Sequence, residues 1–171
     1  MPKDSIHIIM TGGTIDSYYD GTKDTVIPNK KSMLPGYILG LKLYADFHFT
    51  EVCMKDSRQL TKTDMKNVLF AIEKSPSKKI IITHGTYTMP DTARYLEQNL
   101  KRHDKTILLT GSMIPLAFAN SDAPFNLGYS LAKVSELGSG IYVCMNGRIF
   151  EPGEVMKLIS EGKFTSIFSE K

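Results

Sequence analysis

Strand-like and helix-like segments alternate along almost the whole chain, and a polar turn follows nearly every strand. This alternation is the pattern of an α/β domain built on a parallel sheet. Short continuous apolar runs at 6–10, 47–53, 79–83, 106–110 and 141–145 predict strands covered on both faces. Between them the period changes. Met65, Val68, Leu69 and Ile72 fall on one helical face, after Thr61 and Asp64 at capping-box spacing. A second helix is expected after Pro90-Asp91, with Ala93, Leu96 and Leu100 on one side, and a third carries Leu127, Leu131 and Val134. A fourth is expected after Pro152, with Val155, Leu158 and Ile159 inward and Gly162 at its end.

With 171 residues, the chain suits one domain spanning 1–171 and one respectable core. Hydrophobic residues at 42% and charged residues at 23% argue against disordered or collagen-like classes. The net charge of +3 is spread over short doublets, so no nucleic-acid partner is expected. Cys53 and Cys144 sit inside apolar runs and read as core thiols of a reducing compartment rather than a disulfide framework. Zinc spacings are missing. The first apolar run is too short for a signal peptide and no run approaches a membrane span, so a cytoplasmic protein without a membrane partner is expected.

In a parallel sheet the carboxyl ends of the strands share one edge, and ligands bind just beyond it. Thr11-Gly12-Gly13-Thr14, Asp56-Ser57-Arg58, His84-Gly85-Thr86, Gly111-Ser112 and Asn146-Gly147 would all meet there. The Gly12-Gly13 pair lets the backbone turn sharply and bring N–H groups near a ligand or a developing oxyanion. It is neither a dinucleotide fingerprint nor a P-loop. Thr14 and Thr86 each follow a glycine, and a threonine hydroxyl needs a base to become a nucleophile. His7, within a strand, reads as a sheet-face or core histidine. His84, at a strand end, suits either orienting the turn or acid–base work. The polar stretch 16–35 shows weak periodicity and reads equally as a mobile lid or a plain surface loop.

Four segments in order resemble the bacterial-type L-asparaginase and glutaminase family: Thr11-Gly-Gly-Thr-Ile15, His84-Gly-Thr-Tyr-Thr-Met89, Leu109-Thr-Gly-Ser-Met-Ile-Pro115 and Ser121-Asp-Ala-Pro-Phe-Asn-Leu127. The resemblance covers almost the whole chain and is to the larger, N-terminal domain. It implies a three-layer α/β/α domain with a mostly parallel sheet, a small-molecule amide substrate, and no metal or cofactor. It places Thr14 as the nucleophile that forms an acyl-enzyme, Thr86 as the second essential threonine, and Lys157 as the buried lysine partnering it. The residues alone would make Lys157 an exposed helix residue. Substrate contacts fall to Gly13, Ser57, Gly85, Tyr87 and Ser112, with backbone N–H groups of the turns holding the oxyanion.

Three departures bear on function. Tyr87 stands where the family has the aspartate that holds the substrate's α-ammonium, and a tyrosine of pKa near ~10 supplies no negative charge at neutral pH. Val26 falls where a loop tyrosine is expected, which makes Tyr18 and Tyr19 the candidate substitutes. The family's smaller C-terminal domain has no counterpart here, so the crevice is expected to be more open or closed by a different dimer, and a homo-oligomer is expected. Two readings stay open: an amidohydrolase releasing ammonia from asparagine or a related amide, and a non-catalytic descendant that binds a small acid or amide.

Overall fold

The computed structural model describes residues 5–169. Its central sheet is formed by β1 (Ser5–Gly12), β4 (Asp46–Lys55), β5 (Lys79–Thr83), β6 (Thr106–Thr110), β7 (Gly140–Met145) and β8 (Arg148–Phe150), after the outlying β2 (Ser17–Asp20) and β3 (Thr25–Pro28). The spatial order is β4-β1-β5-β6-β7-β8; all neighbours are parallel except β7 and β8. The chain leaves β1 toward β4 on one side and returns to β5 on the other. The order therefore reverses between β1 and β5, and such a reversal opens a ligand crevice at the carboxyl edge.

Helices cover both faces, as the resemblance implies. The side chains of Ile9, Ile80, Ile82, Ile107 and Leu109 face α2 (Lys62–Lys74) and α3 (Met89–Asn99). Their neighbours Ile8, Met10, Ile81 and Leu108 face α1 (Leu34–Gly40) and α4 (Ala123–Glu136). The period of two divides an unbroken apolar run between two cores, which is why these strands show no polar alternation. α2 begins with the expected box: Thr61 Oγ1 accepts from the Asp64 N–H, and the Asp64 carboxylate accepts from the Thr61 N–H. Cys53 is half-buried rather than a core thiol, and Cys144 is buried; both are free.

The expected helix after Pro152 is instead the antiparallel hairpin β9 (Val155–Leu158) and β10 (Lys163–Ser166). Val155 and Phe164 are buried against the α2–α3 core, while Ile159, expected inward, is 70% exposed. Gly162 stands at φ 58 after a short 3-10 turn inside the hairpin loop. Long-range pairing wins here over a short apolar pattern that fits helix and strand alike. The 16–35 stretch is also ordered: β2 and β3 pair as a hairpin, and Pro35 helps open α1. Asn146 and Gly147, both at positive φ, form the two-residue turn joining β7 to β8. Among the described residues no helix is long and apolar enough to cross a membrane.

Candidate active site

The β1 and β5 turns press directly together at the switch point. A Cβ on Gly13 would lie 2.4 Å from the Gly85 nitrogen, and Gly13 has φ 76, so only glycine fits. Gly85 in turn rests on Ser57: a Cβ there would lie 2.6 Å from the Ser57 Cβ. A Cβ on Gly111 would lie 2.3 Å from the His84 carbonyl oxygen. Four of the five polar motifs thus interlock through missing side chains. Asn146, in the fifth, braces the edge from behind. Its N–H donates to Asn126 Oδ1 at 3.3 Å, and its own Oδ1 accepts from the Phe164 N–H at 2.9 Å.

Thr14 starts a 3-10 turn (Thr14–Asp16) just past Gly13. It is half-buried, and its hydroxyl makes no hydrogen bond among the described residues. The turn is fixed underneath: Gly13 N–H donates to the Lys55 carbonyl at 2.8 Å, and Ser17 Oγ donates to the Gly13 carbonyl at 2.7 Å. The Gly13 amide, expected to contact substrate, is therefore already engaged, because β4 ends against it.

Thr86 is 5% exposed. Lys157 on β9 donates from Nζ to Thr86 Oγ1 at 2.7 Å. Lys157 is thus neither helical nor free, contrary to what its local sequence suggests. Burial and the positive charge of Arg58 both push its pKa below the usual lysine value. An ammonium that loses its proton more easily leaves a neutral amine, whose lone pair can accept the proton of the neighbouring hydroxyl.

The neighbouring residues are braces. His84 is fully buried; Nδ1 meets the Gly85 carbonyl at 2.7 Å and Nε2 meets Thr92 Oγ1 at 2.9 Å. Burial lowers its pKa to about 4. With both nitrogens occupied, it orients the turn and does not reach a ligand. Ser57 is buried, its carbonyl accepting from Thr88 Oγ1 at 3.0 Å. Ser112 Oγ donates to the Ile114 carbonyl at 2.5 Å, so its hydroxyl is held within its own turn. Sequence reasoning missed Asp122, although it lies in a quoted segment. Its carboxylate accepts from the Met113 and Ile114 N–H groups and from Asn126 Nδ2, each at 3.0 Å, and Asn126 Nδ2 also donates to the Gly111 carbonyl.

Tyr87 is 54% exposed. Tyr18 and Tyr19 are exposed on β2, where Tyr19 pairs in register with Val26 and its hydroxyl donates to Asp24. His7 lies well away from the threonines. Its ring meets Ser75 Oγ at 2.9 Å and Thr50 Oγ1 at 2.8 Å, as expected of a sheet-face histidine. It lines a groove of ≈ 640 Å³ between β4 and α2 that includes neither threonine.

Residues 5–168 match the family model described as Asparaginase, N-terminal. The chain is 29% identical over 161 residues to L-asparaginase 2 of Escherichia coli (strain K12), covering 90% of this chain and 46% of that protein. It is 40% identical over 93 residues to a glutaminase-asparaginase of Acinetobacter glutaminasificans, covering 52% and 28%. The thermostable L-asparaginase of Thermococcus kodakarensis superposes with TM-score 0.78 at 27% identity, over 97% of this chain and 52% of that one. The chain spans about half the length, or less, of these relatives. The matched model, the strand order and the paired threonine turns agree: the chain belongs to the asparaginase family, to whose N-terminal domain it corresponds.

Proposed function

We propose that the protein is an asparaginase-type amidohydrolase that releases ammonia from a small amide through Thr14. The carrying observation is the 2.7 Å bond from Lys157 to Thr86, on a turn that presses against the Thr14 turn. The Thr14 hydroxyl, without a hydrogen-bond partner among the described residues, attacks the amide carbon as its proton passes toward the Thr86–Lys157 pair. The oxyanion meets backbone N–H groups. Because the Gly13 amide is given to Lys55, the donor on this turn is the Thr14 N–H. Collapse breaks the C–N bond, and the nitrogen leaves as ammonia with the proton returned to it. Water then hydrolyses the Thr14 ester to the acid. The exposure of Tyr87 supports an open crevice rather than a plugged one.

The test is ammonia release from asparagine, glutamine and amides lacking the α-ammonium, with Thr14→Ala as the blank. Release that falls at least a thousandfold in Thr14→Ala is expected. A folded protein that releases none, yet is thermally stabilised by a small acid or amide, is the non-catalytic descendant instead.

A further inference from the structure

The wall beside the reacting turns carries a held, exposed cation. Arg58 follows Ser57, and Tyr87 follows Thr86, so both lie one residue from groups that meet in the crevice. The Arg58 guanidinium lies over the Tyr87 ring, 5.6 Å from its centroid. Its Nε and Nη2 donate to the Asp56 carboxylate at 2.9 and 3.1 Å, and the Arg58 N–H donates to Asp56 Oδ1 at 2.9 Å. Ring and carboxylate fix the plane of the guanidinium. Its side chain is nevertheless 65% exposed, and Nη1 donates to no acceptor among the described residues. The charge is felt inside: Arg58 helps depress the Lys157 pKa, and Lys157 pairs with no carboxylate among the described residues. Asp56, the carboxylate two residues before Arg58, is the one its guanidinium already holds.

The geometry points to a specificity wall in which Arg58, steadied on Tyr87, takes a substrate carboxylate and repels a free α-ammonium. The substrate class that fits is the monoamide of a dicarboxylic acid without a free α-amino group, of which succinamate is asparagine with its α-ammonium removed. A preoriented guanidinium binds a carboxylate through charge-assisted hydrogen bonds, whereas an ammonium at the same place meets a like charge. This inference rests on the amidohydrolase reading for its substrate, but its binding preference can be measured without turnover.

The test is titration calorimetry of the whole chain with succinate and with L-aspartate, which differ only by the α-ammonium. Succinate is expected to bind at least tenfold tighter. The ratio should fall to within threefold in Arg58→Gln, persist in Arg58→Lys, and invert in Tyr87→Asp. Equal binding, tighter aspartate, no binding of either acid, or a ratio that survives Arg58→Gln would overturn the proposal. Ammonia release from succinamate and L-asparagine is measured in parallel. If neither is hydrolysed while the succinate preference holds, the amidohydrolase reading fails and the specificity wall stands.

Discussion

Thr14 and Thr86 each follow a glycine at the carboxyl end of adjacent parallel strands, yet their surroundings differ. The Thr86 turn is braced on every side: Lys157 holds its hydroxyl, Gly85 rests on Ser57, and His84 grips the Gly85 carbonyl. The Thr14 turn is anchored on either side of Thr14, through Gly13 and Ser17 and through Ile15 and Asp16, whose carbonyls accept from Leu116 and Asn29, yet the Thr14 hydroxyl itself makes no hydrogen bond among the described residues. Next to it rises the exposed β2–β3 hairpin, closed by its own contacts. The contrast suggests a division of labour. On the proposed mechanism one hydroxyl is held to move a proton and the other is left free to make and break a bond, so each can be disabled with a different signature.

The largest expected effect comes from removing the proposed base. Lys157→Met should lower kcat for ammonia release about 10²–10⁴-fold, the usual worth of a positioned general base. The rising limb of the pH profile should report Lys157 below the usual lysine value, since burial and Arg58 both disfavour its charged form. Arg58→Gln removes one of those causes, so the limb should move to higher pH. Turnover within a few-fold of the parent in Lys157→Met would reduce the Thr86–Lys157 bond to packing and erase the contrast.

The two turns were also unequally legible from sequence. The strands leading to them are short apolar runs bounded by glycine, and burial on both faces produces such runs. Both threonines follow directly from this. Lys157 does not. Val155, Leu158 and Ile159 satisfy a helical spacing, and only pairing with residues 163–166 makes the segment a strand that delivers Lys157 to Thr86. That pairing is tertiary information, so the lysine was found through family resemblance alone. Arg58 stood in a motif already picked out, but its stack on Tyr87 joins turns far apart in sequence. Asp122 and Asn126 act on backbone groups of another turn, and their spacing carries no sign of that target.

The brace of the Thr86 turn is titratable, which gives the next effect in size. His84 titrates near 6.5 in an unfolded chain and at about 4 when buried in the fold. As pH falls, the unfolded state takes up this proton first. The contribution is complete above about 6.5, declines through the window, and is gone below about 4. At ~1.4 kcal/mol per pH unit this amounts to ~3 kcal/mol. Urea melts between pH 7 and 4 should show it. His84→Gln should flatten the decline, which is then left to other groups such as His7, lowered first by its own burial. An equally steep decline in His84→Gln would show that the brace does not control the acid response.

The smallest effect separates the threonines by stability alone. Thr→Val keeps the branched shape and removes only the hydroxyl. In Thr86→Val the half-buried Lys157 amine loses the acceptor it is bonded to, beneath a side chain that is itself 5% exposed. A loss of about 1–2 kcal/mol is expected, moderated by how far the lysine can turn toward water. Thr14→Val removes a hydroxyl that bonds to nothing among the described residues, so its cost should stay within ~0.5 kcal/mol. Both variants should be equally dead for ammonia release. Denaturant midpoints measured on the two, with no change in slope, decide the matter. If Thr14→Val costs as much as Thr86→Val, the Thr14 hydroxyl is part of the framework, and the division between a held and a free hydroxyl does not exist.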